Sequence, residues 1–353
     1  MKKIALVLCI VLLLGLLAGC ADKSAGAADA GAEGLQPDDT LQSAGEKTTI
    51  GIIYLTSEHP YYQAHAKHTQ DYCAEKGIEL IELDGQMDQA VMASQIENLI
   101  AKKVDGIVYC PIEGGAASAD INAAQAAGIP ILTFAISHDT STADAPYVGM
   151  DEKAAGALGG AEAGRFFLEQ FPGEDAKIAV IEVVGQEAST NRSDGFIEGF
   201  RESVPEAEVV VRVNGEGLKD KAADVTEDII QSHPEINVFF GANGDQGLGA
   251  LAALESAGRG TLETELVASH DGSEPEVLKI ADPESALKIA NANRPKECAQ
   301  ACIDTLLEMI SGERDMKDTD TVTVESGVIS AGDLQAAQTF MQEQYLSDVV
   351  LVQ

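Results

Sequence analysis

The sequence predicts an α/β fold made of two domains, each built around a parallel β-sheet. Short apolar runs rich in β-branched residues alternate with helical segments along most of the chain, which is the pattern of repeated βαβ units. The strand-like runs are too many for one ordinary doubly wound sheet. The length of 353 residues and the apolar fraction of 45% suffice for two domains with separate cores. We therefore expect two Rossmann-like domains joined by a hinge of several strands.

The predicted strands are runs that fit a sheet buried on both faces and that end at polar turns. They span residues 48–55, 78–83, 104–110, 129–135, 147–150, 177–183, 208–213, 236–242, 265–270 and 286–291. The predicted helices span residues 61–76, 88–102, 116–127, 152–170, 190–203, 220–232, 246–257, 274–281 and 295–311. Gly77 and Gly128 suit the left-handed position that ends a helix, and Pro234 cannot continue one. Towards the end of the chain we expect an acidic surface turn over 315–320 and an edge strand over 321–324.

The formal net charge of −35 limits the partners of the chain. Proteins bind nucleic acids by placing Lys and Arg against phosphates, so we expect no nucleic-acid partner. The same charge repels an anionic membrane surface and favours a soluble, exported monomer. The chain has no Trp, so any aromatic platform for a ligand comes from Tyr or Phe.

The N-terminus has the pattern of an export signal. Two lysines precede an apolar run over 4–17, which is short for a membrane span. The run ends in Leu17-Ala18-Gly19-Cys20, and small residues before a Cys resemble the lipobox of bacterial lipoproteins; the alternative is an ordinary signal peptide with an incidental Cys. We expect a signal peptide over 1–19, a lipidated Cys20 as the only membrane anchor, and a flexible tether over 20–47.

The sequence does not predict a metal site or a cofactor. No pair of Cys-x-x-Cys motifs occurs, so a zinc ribbon is not expected. His65 and His68 are three residues apart on a predicted helix, with His59 nearby; this spacing is compatible with a metal, but we expect exposed helix surface. We expect buried free thiols at Cys73, Cys110, Cys298 and Cys302.

Signatures of catalysis and nucleotide binding are absent from the sequence. No Gly-x-Ser-x-Gly nucleophile elbow occurs, and the adjacent pair His270 and Asp271 does not make a triad. The glycines between Gly241 and Gly249 lack the Lys-Ser/Thr end of a phosphate-binding loop. We therefore predict a binding protein rather than an enzyme.

The first predicted strand brings two aromatic rings to its carboxyl end. It is followed by a polar turn and by His59-Pro60-Tyr61-Tyr62, in which Pro60 suits the first turn of a helix. In open α/β sheets, ligands bind in the crevice outside the carboxyl ends of the strands. This placement predicts a small-molecule site that includes Tyr61 and Tyr62; packing of the helix on the sheet is the alternative role for each ring.

Five motifs, in their order and spacing, resemble the ribose-binding-protein group of periplasmic sugar-binding proteins, whose fold is shared with LacI-type regulators. The resemblance extends from Thr48 to about Val328. The motifs are His59-Pro60-Tyr61-Tyr62, Val104–Val108 before Pro111, Asn191–Phe196, Phe239–Leu251, and His270-Asp271-Gly272.

This resemblance implies a type I periplasmic binding protein, with the ligand held between two lobes. The N-terminal lobe would comprise 48–150 and 292–323, and the C-terminal lobe 151–291 and 324–353. Aromatic faces would stack on the C–H face of a sugar, while Arg, Asn and Asp would bond its hydroxyls. The ligand contacts of the family, carried over by position, are His59, Tyr61, Tyr62, Arg192, Asn243, Asp271 and Asn291.

Three polar members of this set also have structural alternatives. Arg192 could be a cation at a helix end that pairs with Asp194, and Asp271 could cap the helix that follows it. Asn243 could be a turn residue that tolerates a left-handed backbone. Asn291 falls at a predicted crossing between the lobes.

The chain departs from the family after the fourth strand. Ala135 and Ile136 stand where the family often has an Asp-Arg pair that grips ring hydroxyls. We infer a ligand that is less hydroxylated than ribose or has a different shape. Ser137 or His138 could compensate for the missing pair.

The resemblance implies an extracytoplasmic lipoprotein, at the outer face of the cytoplasmic membrane or in the periplasm. It would capture a sugar, polyol or similar small molecule by hinge closure and deliver it to an ABC permease. The alternative is a ligand-sensing receptor that docks on a chemoreceptor or a sensor kinase. A transcriptional regulator would need a basic helix-turn-helix before the first strand, where this chain has an acidic tether.

Overall fold

The computed structural model describes residues 47–112 and 114–351. The predicted signal peptide, Cys20 and all but the last residue of the predicted tether lie outside these ranges. The described chain forms two six-stranded sheets with helices packed on both faces of each. This architecture confirms the predicted α/β fold.

The strands agree closely with the predicted ones, apart from an unpredicted twelfth strand. They are β1 (Thr49–Tyr54), β2 (Glu79–Asp84), β3 (Gly106–Tyr109), β4 (Ile131–Phe134), β5 (Tyr147–Gly149), β6 (Lys177–Glu182), β7 (Glu208–Asn214), β8 (Val238–Gly241), β9 (Leu266–Asp271), β10 (Leu287–Ala292), β11 (Thr321–Thr323) and β12 (Gly327–Ser330). The predicted edge strand near the end of the chain is β11.

The helices also follow the prediction, with the addition of a helix near the C-terminus. They are α1 (Pro60–Lys76), α2 (Gln89–Lys102), α3 (Gly114–Ala126), α4 (Glu152–Gln170), α5 (Glu187–Ser203), α6 (Lys219–Ser232), α7 (Gly244–Ser256), α8 (Glu274–Ala281), α9 (Pro295–Ser311) and α10 (Leu334–Gln344). Helix α5 begins three residues earlier than predicted, at Glu187, whose charge suits a helix N-terminus.

The two sheets have the same layout. The first has the strand order β11-β5-β4-β3-β1-β2 and is parallel throughout. The second has the order β12-β10-β9-β8-β6-β7 and is parallel except for β12, which pairs antiparallel with β10. We call the first sheet with α1–α3 and α9 the first lobe, and the second sheet with α4–α8 and α10 the second lobe.

The central strands are apolar because helices cover both of their faces. In β1, Ile50, Ile52 and Ile53 are completely buried. One face of β1 packs in a hydrophobic core with α1 and α9, and the other face packs in a second hydrophobic core with α2 and α3. The edge strands β2 and β7 have one partner each and are only partly buried. Because the central strands are buried on both faces, the carboxyl ends of these strands are held in fixed positions.

Helices α4 and α5 approach closely because glycines face the backbone of the partner helix. A Cβ on Gly156 would lie 2.2 Å from the carbonyl oxygen of Arg192, and a Cβ on Gly195 would lie 2.0 Å from the carbonyl oxygen of Lys153. Neither carbonyl can move without disturbing its helix. This packing fixes the position of Arg192 relative to the start of α4.

The chain passes between the lobes at three places. These are between β5 and α4, between β10 and α9, and between β11 and β12. Within the described residues, no helix is long and apolar enough to cross a membrane.

The four cysteines of the described chain are free and buried, as predicted. The prediction that His65 and His68 form exposed helix surface is wrong, because both side chains are buried. Their face of α1 packs against neighbouring elements: the ring of His65 stacks on Phe134, and Nε2 of His68 lies 2.8 Å from the carbonyl oxygen of Gln344. The three-residue spacing alone could not distinguish a surface from this interface.

Candidate functional site

A cavity of about 700 Å³ lies between the carboxyl ends of the two sheets. Both lobes contribute side chains to its walls. Six of the seven predicted ligand residues line it: His59, Tyr61, Tyr62, Arg192, Asn243 and Asp271. Its volume suits a ligand the size of a small metabolite.

His59 lies at the N-terminus of α1 and faces the second lobe. It is the N-cap residue, and its Nδ1 accepts a hydrogen bond of 3.2 Å from the backbone N–H of Tyr61. The proton of the neutral ring is therefore on Nε2, which lies 3.5 Å from Oδ2 of Asp271. Burial by itself would lower the pKa of His59, but the bond to Asp271 and the surrounding carboxylates raise it.

Asp271 ends β9, and its buried carboxylate has partners in both lobes. Its oxygens accept hydrogen bonds from the backbone N–H of Gly244 at 3.0 Å and from Nδ2 of Asn293 at 2.9 Å. Burial opposes ionisation, but His59 and Arg192 lower the pKa of Asp271 to about 2. Its φ of 118° is rare for a residue with a side chain, and such strain concentrates at functional sites.

Arg192 projects from α5 and is held by a carboxylate that the sequence did not reveal. Its Nε and Nη2 donate to the two carboxylate oxygens of Glu152, at 2.6 and 3.2 Å. Its Nη1 donates to the carbonyl of Ala242 at 3.2 Å and lies 3.8 Å from Oδ1 of Asp271. Burial would lower the pKa of Arg192, but Glu152 raises it on balance.

The structural alternatives considered for Arg192 and Asp271 are wrong. Asp194 pairs with Arg212, at 2.6 Å, instead of with Arg192. The helix after β9 is capped by Ser273 rather than by Asp271. Arg192 therefore does not pair with Asp194, and Asp271 does not cap α8.

Tyr61 and Tyr62 both line the cavity and belong to the core of the first lobe. Their ring centroids lie 5.3 Å apart with an angle of 74° between the planes. The hydroxyl of Tyr62 lies 3.4 Å from the sulfur of Cys110. Packing anchors the rings, so they offer a rigid apolar wall rather than mobile side chains.

The two predicted asparagines have different positions. Asn243 lines the cavity and is the N-cap of α7: its Oδ1 accepts from the N–H of Gln246 at 2.8 Å, and its Nδ2 donates to Gly217. Its φ of −143° excludes the left-handed turn considered above. Asn291 is completely buried away from the cavity wall and donates to the carbonyl of Ala155 on α4.

The departure from the family after β4 also faces the cavity. Ala135 and Ile136 line it, so this part of the first lobe is apolar. His138 is turned inward, with Nδ1 2.8 Å from the hydroxyl of Thr133, and lies outside the cavity lining together with Ser137. Neither residue compensates for the missing charged pair in this conformation.

Glu152, Asp245, Asn293 and Arg294 are among the polar residues of the cavity lining that sequence reasoning missed. Burial raises the pKa of Asp245. Oδ1 of Asn293 is buried and has no hydrogen-bond partner within the described chain. Asn293 follows β10 directly, and this position at the carboxyl end of a predicted strand is a signal that could have identified it.

The fold and the site together define a two-lobed solute-binding protein, whose cavity lies between the facing ends of two mainly parallel sheets. The chain belongs to the periplasmic binding protein domain family, whose profile matches residues 50–314.

Known proteins resemble this chain over most of its length. It is 26% identical over 270 residues to the ribose import binding protein of Bacillus subtilis (strain 168), covering 76% of this chain and 84% of that protein. A solute-binding protein from Actinobacillus succinogenes 130z superimposes with a TM-score of 0.73 at 24% identity, covering 82% of this chain and 100% of that one. One from Bacillus halodurans C-125 has a TM-score of 0.72 at 22% identity, with coverages of 85% and 99%.

Proposed function

We propose that this chain captures an uncharged sugar or polyol in the cleft between its lobes and delivers it to an ABC permease. The observation that carries this proposal is the pairing of two kinds of wall. The first lobe contributes the aromatic rings of Tyr61 and Tyr62, and the second contributes Arg192 and Asp271. An apolar ring face opposite fixed donors and acceptors matches the two sides of a carbohydrate.

The charges of the cleft support an uncharged ligand. Arg192 is already paired with Glu152 and lies close to Asp271, so its positive charge is compensated within the protein. Asp245 adds a further carboxyl group to the wall. A phosphate or carboxylate on the ligand would meet these acids, and the other arginine of the wall, Arg294, lies 3.7 Å from Glu297.

The remaining bonding capacity fits hydroxyl groups, which both donate and accept. Oδ1 of Asn293 can accept from a ligand hydroxyl, and Arg192 and Asp271 form a donor and acceptor side by side. The apolar stretch at Ala135 and Ile136 favours a ligand with fewer hydroxyls on that side.

The names of similar proteins point to the same ligand class. The Bacillus subtilis relative is named for ribose, and the two structural neighbours hold D-allose and myo-inositol. All three molecules are uncharged and carry several hydroxyls. The word import in the name of the relative favours transport over the receptor alternative.

Closure of the lobes is the proposed mechanism of capture. The segments 150–151, 293–294 and 324–326 join the lobes and would act as the hinge. We propose the N-terminal lobe 48–150 plus 292–323 and the C-terminal lobe 151–291 plus 324–353, with Ala292 assigned instead to the C-terminal lobe because it ends β10. A ligand that contacts both walls selects the closed state. We further propose that a lipidated Cys20 and the following tether hold the protein at the outer face of the membrane.

Titration calorimetry tests the ligand class. Ribose, D-allose, myo-inositol and xylitol would be compared with ribose 5-phosphate and glucuronate, using the wild-type chain and Arg192→Lys. We expect an uncharged ligand to bind tightest, and Arg192→Lys to weaken it because the bidentate geometry is lost.

Arg212→Lys is the matched control, because Arg212 forms a similar pair with Glu182 outside the cavity. It should leave the affinity unchanged. Tightest binding of an anionic compound, or equal affinity of wild type and Arg192→Lys, would refute the proposal.

A further inference from the structure

A second group of chemically reactive side chains lies beneath the aromatic wall of the cleft. A ring nitrogen of His65 and the sulfur atoms of Cys298 and Cys302 lie within 4.8 Å of one another, and all three residues are buried. His65 is on α1, and the cysteines are one turn apart on α9, which packs against α1. The four-residue spacing places both sulfur atoms on the same face of α9.

The ring of His65 is oriented as in a metal site. The hydroxyl of Thr69 donates its proton to the backbone carbonyl of His65 at 2.8 Å, so its oxygen accepts from Nδ1 of the ring at 3.2 Å. Nδ1 therefore carries the proton, and Nε2 has a free lone pair. Nε2 is buried without a hydrogen-bond partner in the described chain. A bond that fixes the tautomer of a histidine ligand is typical of protein metal sites.

The surroundings hold the three side chains in place. Phe134 stacks on the ring of His65 with the centroids 4.6 Å apart. Tyr61 and Cys298 both line the cleft and belong to the same core cluster. The site thus has a rigid, largely apolar shell and one side that meets the ligand cavity.

We propose that His65, Cys298 and Cys302 bind one zinc ion. Two cysteines and one histidine, with a water in the fourth position, are an established zinc ligand set. Zn–S and Zn–N bonds of about 2.3 and 2.0 Å separate tetrahedral ligand atoms by about 3.5–3.8 Å, which the cluster can accommodate. Each thiol loses its proton to solvent as the ion binds, so two thiolates and Zn²⁺ leave the buried site electrically neutral.

The bound ion would join α1 to α9. Helix α1 carries Tyr61, and α9 follows directly on the crossing after β10. Zinc would therefore stabilise the aromatic wall without taking part in the proposed contacts to the sugar.

Cobalt is a spectroscopic probe for this site. The full chain would be reduced, freed of metal with a chelator, and titrated with Co²⁺. We expect one Co²⁺ per chain, thiolate-to-cobalt charge-transfer absorption, and loss of that absorption when Zn²⁺ is added. Cys298→Ser and Cys302→Ser should each abolish the charge-transfer signal of the two-thiolate site.

Cys73→Ser is the matched control, because Cys73 is a buried free thiol on α1 outside the cluster. It should retain the signal. Thr69→Val should weaken Zn²⁺ binding by about 10- to 100-fold, because the tautomer of His65 is no longer fixed.

A second measurement needs no variant. Zn²⁺ should protect Cys298 and Cys302 of the wild-type chain from iodoacetamide, without protecting Cys73, as read by peptide mass spectrometry. Absence of stoichiometric metal in the reduced chain, a Cys298–Cys302 disulfide in the isolated protein, or equal protection of Cys73 would overturn the proposal.

Discussion

Nε2 of His59 lies 3.5 Å from Oδ2 of Asp271, and this pair connects the two lobes across the cleft. His59 caps α1 in the first lobe, and Asp271 ends β9 in the second. Both partners line the cavity, so the protein joins its lobes at the place where a bridging ligand would bind. The pair and a ligand would therefore stabilise the same arrangement of the lobes.

The charge of His59 makes part of the stability dependent on pH. The pKa of His59 in the folded chain is raised above its ordinary value of 6.5. The free energy of unfolding that the charged His59 contributes is therefore fully present below pH 6.5. It is lost as the pH rises through the raised pKa of the folded chain. In His59→Gln this loss should disappear, so the difference in melting temperature between wild type and variant should shrink from pH 6 to pH 8.

Comparison of the two proteins removes titrations that they share. Glu276, whose pKa burial raises to about 8, is not one of these, because its charge also acts on His59. The weaker N-cap of the variant lowers its stability equally at every pH. A difference that stays constant or grows with pH would contradict a charged His59.

Asp271→Asn should weaken ligand binding by about tenfold or more, because the amide lacks the charge that holds Arg192 and His59 in place. Its own pKa of about 2 means that the wild-type carboxylate stays charged at every pH above the ordinary value of 3.8. Calorimetry at pH 7 measures the effect. Asp304→Asn is the control, because Asp304 accepts from Tyr72 outside the cavity and should leave the affinity unchanged.

Glu152→Gln should lower both stability and affinity. Removing one partner of a buried ion pair leaves Arg192 uncompensated, which costs about 3–5 kcal/mol. Urea unfolding measures the first effect and calorimetry the second. Glu182→Gln breaks the comparable pair with Arg212 outside the cavity; a loss of affinity in that variant would show that the effect of Glu152 is not specific to the site.

Gly156→Ala should destabilise the second lobe by about 1–3 kcal/mol and weaken ligand binding. Its new Cβ would lie 2.2 Å from the carbonyl of Arg192, so α4 and α5 must separate. Gly115→Ala on α3 is the control, because its Cβ would meet no atom within 4 Å. Urea unfolding that shows no greater loss for Gly156→Ala than for Gly115→Ala would contradict the close packing of these helices.

The fold was predictable because its signals are local and repeated. A β-branched run such as Ile50–Tyr54, followed by a polar turn and a capped helix, specifies one βαβ unit, and the chain repeats it. The sequence pattern was weaker for the last strand and the last helix. Strand β12 is a short antiparallel edge strand, and only Ala337, Met341 and Gln344 of α10 are buried.

The site was predictable only in part. Residues directly after strands, such as Asp271 and Asn243, reach the cavity because parallel strands end at one edge of the sheet. Glu152 was missed because an acid in the first turn of a helix is ordinary for the helix dipole. His65 is more than two hundred positions from Cys298 and Cys302 in the sequence. The spacing of residues along a single helix cannot predict that they lie close together in the fold.

A crystal structure of the chain with the tightest ligand from the calorimetric screen tests the central claim most directly. The account predicts an uncharged ligand between the lobes, with an apolar face on Tyr61 or Tyr62 and hydroxyls within hydrogen-bond distance of Arg192 and Asp271. A ligand bound outside the cleft, or held by one lobe alone, would contradict it.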